Sequence, residues 1–273
     1  MVKVIGVFDS GIGGLTVARE LLRILPEKQI IYFGDTARVP YGGKSTSTIK
    51  NFSDQIVNFL LKRDVQLIVA ACNTVSSTSL EWLKNKYTLP IVGVIEPGAR
   101  ESVRTTRNNI IGVIGTRATI ESSAYRFAIH RINPNIKVYS KSCPLLVPII
   151  EEERSNSEVT RLVLERYLFR LKKNNIDTLI LGCTHYPIIK NEIQQVMGKD
   201  VQIIDSASLV ALEVKNILNR VDVHPPLPRT RITTAPQDSA KNHAFYFSDI
   251  PRGFKQLSKR FLGYPISYTR TAL

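Results

Sequence analysis

Cysteine is scarce in this chain: three among 273 residues, at positions 72, 143 and 183, with no C-x-x-C pair. So odd and widely spaced a set excludes a disulfide framework and a zinc ribbon, and it suits free thiols in a reducing cytosol. Long apolar runs are missing as well. No stretch reaches the roughly 18 consecutive apolar residues a membrane helix needs, and the apolar start Val4-Ile5-Gly6-Val7-Phe8 is ended by Asp9, too short for a signal-peptide core. The expectation is a soluble, cytoplasmic protein with no membrane partner. Histidine is limited to four, and Cys183-x-His185 is the one close pairing of ligand types, so a metal site is not expected. Acidic residues are short too: 23 against 37 Lys+Arg, a net charge of +14.

A basic surface attracts polyanions or small anionic substrates. Residues 224–273 hold Arg229, Arg231, Lys241, Arg252, Lys255, Lys259, Arg260 and Arg270 against Asp238 and Asp249, without a consecutive basic run. No zinc-finger spacing, basic zipper or RNP-like aromatic motif accompanies them, so contact with nucleic acid has no motif to support it. The plain reading is a solvated basic face.

What the chain does have is apolar material, 43% of residues, enough for one large or two modest domains. Short apolar runs at 4–8, 30–33, 67–71, 91–94, 110–114, 179–181 and 201–204 read as buried strands. Between them, segments such as 16–25, 46–62 and 158–173 space apolar residues three and four apart. This alternation predicts an α/β fold with parallel sheets, whose ligands gather at the carboxyl ends of the strands.

Those ends repeat. Residues 4–11 align with 111–116, 67–74 with 179–185, and 90–97 with 201–206. Asp9 to Cys72 is 63 residues and Thr116 to Cys183 is 67; Cys72 to Glu96 is 24 and Cys183 to Asp205 is 22. The duplication predicts two similar parallel-sheet α/β domains related by a pseudo-two-fold, 1–96 plus 208–273 and 97–207, with a thiol from each facing one shared cleft.

Asp9-Ser10-Gly11-Ile12-Gly13-Gly14 lies between a strand and a helix, a place where glycines expose amide N–H groups to an anion. It is a poor nucleotide fingerprint, since no Lys follows and Thr16 stands where a third glycine belongs. Cys72-Asn73-Thr74 and Cys183-Thr184-His185 are the chemically loaded pair. Each thiol is expected just before a helix N-terminus, where the dipole lowers its pKa and favours the thiolate. A redox disulfide between the two is the other reading of this pair. Cys143 falls outside both repeats and reads as structural.

These motifs, with Tyr32-Phe33-Gly34-Asp35, Pro40-Tyr41-Gly42 and Gly182-Cys183-Thr184-His185-Tyr186-Pro187, resemble the glutamate racemases of the aspartate/glutamate racemase superfamily over essentially the full chain. The likeness includes the segment Phe245-Tyr246-Phe247-Ser248-Asp249, where the family commonly has Gly-Asp; Ser248 reads as a surface-loop departure. The resemblance implies a cofactor-independent enzyme that interconverts L- and D-glutamate for peptidoglycan synthesis, and a homodimer. It assigns Cys72 and Cys183 as the two bases, Asp9 assisting Cys72 and His185 assisting Cys183. A further carboxylate is implied at Glu151 or Glu152, of which Glu151 is preferred. Substrate contacts are implied for Asp9, Ser10, Tyr41, Gly42, Asn73, Thr74, Thr116, Thr184 and His185. An aspartate or hydantoin racemase, and a binding protein acting through its basic surface, are the alternatives.

Overall fold

The computed structural model describes residues 4–152, 157–223 and 243–273. Arg229, Arg231, Asp238 and Lys241 lie outside the described residues. Ten strands are present among them: β1 Val4–Asp9, β2 Gln29–Gly34, β3 Leu67–Ala70, β4 Ile91–Gly93, β5 Ile110–Gly115, β6 Lys137–Ser142, β7 Thr178–Gly182, β8 Gln202–Asp205, β9 Ala244–Phe247 and β10 Thr269–Arg270. They form two sheets, ordered β10-β9-β2-β1-β3-β4 and β6-β5-β7-β8, and every pairing is parallel. The order 2-1-3-4 in one sheet is repeated as 6-5-7-8 in the other. Cys72 and Cys183 therefore follow equivalent strands, β3 and β7.

The apolar runs become strands because both sheet faces are covered. Along β1, Ile5 and Val7 join one core while Phe8 joins another; along β3, Leu67 and Val69 divide in the same way from Ile68 and Ala70. Alternate side chains leave on opposite faces, so a strand buried on both sides must be apolar throughout. The larger cluster is continuous across the molecule, uniting Val7 and Leu15 with Leu179, Leu181 and Val210. The helix Ser206–Val223 packs on Leu15–Ile24 and on Ile95–Thr105.

Three strands escape the sequence reading. β6 is an edge strand with Val138 as its one buried residue, so it carries no apolar run. β9 pairs with β2 across more than 200 residues of chain, and β10 has only two residues. The recognition of β6 corrects the view of Cys143, which follows the second strand of the second repeat and so belongs to it.

At the amino end of the second sheet, Asp177 fixes the chain as it enters β5. Its carboxylate accepts from Thr106 Oγ1 at 2.7 Å, from Arg107 N at 2.6 Å and from Asn108 N at 2.7 Å. Partial burial pushes the Asp177 pKa up, but these donors outweigh it and hold the group below its ordinary value. A depressed carboxyl stabilises the fold at pH values above its unfolded pKa, and that contribution is lost as pH falls through the folded value. Asp177→Ala is expected to cost about 1 kcal/mol at neutral pH. In denaturant titrations the difference from the parent shrinks below about pH 4; a pH-independent difference would refute the assignment.

Candidate active site

The strand ends converge on a cavity of about 470 Å³. Asp9 ends β1 and is followed by the turn into Leu15–Ile24; Cys72 caps the short helix Asn73–Thr78; Thr116 caps Arg117–Glu121. Cys183 follows β7, and Thr184 and His185 lead into the turn Tyr186–Ile189. Cys72 and Cys183 both line the cavity, with Ser10, Tyr41, Gly42, Asn73, Thr74, Thr116, Glu151, Thr184 and His185. Asp9 alone of the expected residues stands behind this lining, fully buried.

Two turns from opposite halves touch here. A Cβ on Gly13 would overlap Thr184 Oγ1 and the His185 ring, so a side chain at 13 would force the turns apart. Thr16 Oγ1 lies 3.1 Å from the Thr184 carbonyl, and Thr184 Oγ1 donates to Asp9 Oδ2 at 3.3 Å. The glycine-rich segment thus serves close approach of backbone to a neighbouring turn.

Cys72 is set beside Ser10, its Sγ 3.4 Å from Ser10 Oγ. The expected depression of its pKa is not found. Burial pushes the Cys72 thiol up, the nearby Asp9 charge adds to this against the hydrogen bonds from Ser10 and Val75, and the result is about 12. The dipole of a six-residue helix is outweighed by the loss of water and a neighbouring carboxylate. Asp9 is itself pushed upward by burial, against the opposing charge of His185 and the hydrogen bonds from Gly11, Gly14 and Thr184. Cys72 is therefore a thiol at neutral pH.

Cys183 has a different neighbour, and no α-helix starts beside it: a 3-10 turn intervenes before Lys190–Met197. Its Sγ lies 3.8 Å from His185 Nδ1, and His185 Nε2 lies 2.8 Å from Glu151 Oε1. Glu152, one residue on, is exposed and does not join this chain. Burial pulls the His185 pKa down, but its contacts with Cys183 and Glu151 prevail and push it up to about 10. A protonated imidazole can return a proton to the sulfur or hold its negative charge. Phe261, from the helix Phe254–Leu262, meets the ring edge-on with centroids 5.1 Å apart.

Hydroxyls and amides complete the lining. Thr74 Oγ1 lies 2.9 Å from Thr116 Oγ1, which lies 3.0 Å from Thr119 Oγ1. The Tyr41 hydroxyl turns away to the buried Asp35, which also accepts from Arg38 Nε at 2.6 Å and from Ser248 Oγ at 2.8 Å. Ser248 is thus no mere surface-loop departure: it is half-buried and helps hold the loop that carries Tyr41 and Gly42. Cys143 is buried, lines the same cavity, and has its thiol pushed up to about 12, chiefly by burial. Sequence reasoning missed Tyr125, Thr119 and Phe261. Thr119 left a signal in its spacing from the N-cap Thr116, and Phe261 in the family-like C-terminal segment, but neither pointed to the site. Among the described residues no group of His, Cys, Asp and Glu could hold a metal ion.

Comparison with known proteins places these features in context. The sequence profile of the Asp/Glu/Hydantoin racemase family matches residues 5–214. The chain is 47% identical over 261 residues to a glutamate racemase of Geobacter metallireducens, spanning 96% of this chain and 93% of that one. Its fold superposes on the crystal structure of a glutamate racemase from Bacillus anthracis with a TM-score of 0.90 and 38% identity, covering 99% of this chain and 98% of the other. The glutamate racemase of Francisella tularensis in complex with D-glutamate gives 0.88 and 39%, covering 99% and 97%.

The Glu151–His185 pair supplies a direct test. In NMR titration the His185 imidazole is expected to stay protonated at pH 7 and to lose its proton near 10. Glu151→Gln lowers that midpoint by about one unit or more. Gly13→Ala, whose Cβ would crowd the ring from its partners, lowers it as well. Midpoints unchanged in both variants would remove the coupling described here.

Proposed function

The chain belongs to the Asp/Glu/Hydantoin racemase family, and from that premise we propose that it is a glutamate racemase, interconverting L- and D-glutamate and supplying D-glutamate for peptidoglycan synthesis. The observation that carries this reading is the pair of thiols that two different sheets bring to one cavity. Inversion at Cα needs a proton removed from one face and another delivered to the opposite face. Two bases, one on either side, do this directly, one entering as thiolate and the other as thiol.

In this reading Cys183 removes the Cα proton of L-glutamate and Cys72 that of D-glutamate. The Cys72 thiol then serves as the donor for the L-to-D direction, consistent with the upward push from burial and Asp9. Asp9 assists Cys72, and His185, oriented by Glu151, assists Cys183. The carbanionic transition state is stabilised by preorganised donors, with no cofactor in the scheme. Ser10, Asn73, Thr74, Thr116, Thr184 and the Tyr41-Gly42 backbone would hold the two carboxylates and the ammonium of the small-molecule substrate.

The same likeness extends the proposal to two domains, 1–96 plus 208–273 and 97–207, and to a homodimer. A cytoplasmic setting agrees with three unpaired cysteines and with the lack, among the described residues, of any helix long and apolar enough to cross a membrane.

Incubation with L-glutamate in heavy water is expected to give both Cα deuteration and optical inversion, with aspartate turned over far more slowly. No exchange would overturn the assignment. Cys72→Ala and Cys183→Ala are each expected to lower kcat by about 10³-fold or more. Full racemisation by either variant would refute the two-thiol scheme.

A further inference from the structure

Asn73 is the one amide side chain among the cavity's lining residues, and the way it faces decides what it can bind. Its Oδ1 accepts from the Tyr125 hydroxyl at 2.7 Å. Among the described residues its Nδ2 donors meet no acceptor. The tyrosine is itself fixed: it is buried on the helix Ala124–Ile132, its ring lies 3.4 Å from where a Cβ on Gly98 would stand, and its hydroxyl is 3.3 Å from Ser206 Oγ. Asn73 follows the first sheet, whereas Tyr125 and Ser206 follow strands β5 and β8 of the second.

A primary amide is ambivalent. Turned one way it offers two N–H donors and can hold a carboxylate; turned the other it offers a carbonyl, which repels one. A fixed hydroxyl that commits its proton to the amide oxygen, as the Tyr125 hydroxyl does, favours the first orientation. We propose that Tyr125 is a positioning residue that locks the Asn73 carboxamide with its nitrogen toward the cavity, making Asn73 a carboxylate-selective contact. This rests on the glutamate racemase reading and names the group that sets the polarity of one substrate contact. Because the bond runs between elements of the two sheets, it also ties that contact to the apposition of the halves.

The test is a double-mutant cycle on the full chain. Tyr125→Phe, which removes one oxygen, is expected to raise KM for D-glutamate about fivefold with kcat within about twofold. In an Asn73→Ala background the same substitution changes KM by less than about twofold, since no amide is left to orient. A merely structural tyrosine would shift KM by the same factor in both backgrounds, and that result, or an unchanged KM in Tyr125→Phe, overturns the proposal. If Tyr125→Phe does not fold, the parent protein decides by ¹⁵N NMR: the Asn73 side-chain NH2 resonances shift on titration with D-glutamate, and resonances that do not move overturn it. Absence of any racemisation by the parent would instead refute the function, leaving the two failures distinguishable.

Discussion

The site depends on one steric constraint, the contact between the turn after β1 and the turn after β7. Gly13 leaves room for Thr184 and His185, and nothing larger than hydrogen fits there without displacing a ring that is itself held by Glu151 and Phe261. Close packing at this point sets how near the two halves approach, and hence how far apart the two thiols stand. The apolar cluster that runs from Val7 to Leu181 supplies the attraction; the missing Cβ sets where it stops.

Around that contact the pseudo-symmetry of the backbone is broken by charge. Equivalent strands deliver Cys72 and Cys183, but the first thiol faces a buried carboxylate and the second a buried imidazole. The carboxylate adds to the burial that keeps Cys72 protonated. A symmetric scaffold thereby gives its two equivalent thiols neighbours of opposite chemical character. Asp9 and His185 also lie within electrostatic reach of each other, so neither thiol's environment is independent of the other's.

Much of this was legible in the residues. Both-face burial makes strands such as β1, β3 and β7 visible as unbroken apolar runs, and the recurrence of Cys at the ends of β3 and β7 exposes the shared cleft. Other features leave no local trace. β6 alternates too weakly to be seen, which in turn hid the place of Cys143 in the second repeat. Tyr125 sits in an amphipathic helix where an aromatic residue looks like core, and its partner is 52 positions away. The elevated Cys72 pKa follows from burial and from Asp9, neither of which a helix N-terminus reveals. Ser248 looked like surface because its contact with Asp35 spans 213 residues.

Because every pairing is parallel, the two ends of each sheet carry different burdens. The chemistry gathers where strands finish, while the Asp177 turn, which steadies the entry into β5, lies where they begin. Substitutions at the amino end of a sheet alter how firmly the chain folds without reaching the cavity. Tolerance to mutation should accordingly be graded along the strands of each sheet, with robustness adjustable where they start and reactivity held fixed where they finish.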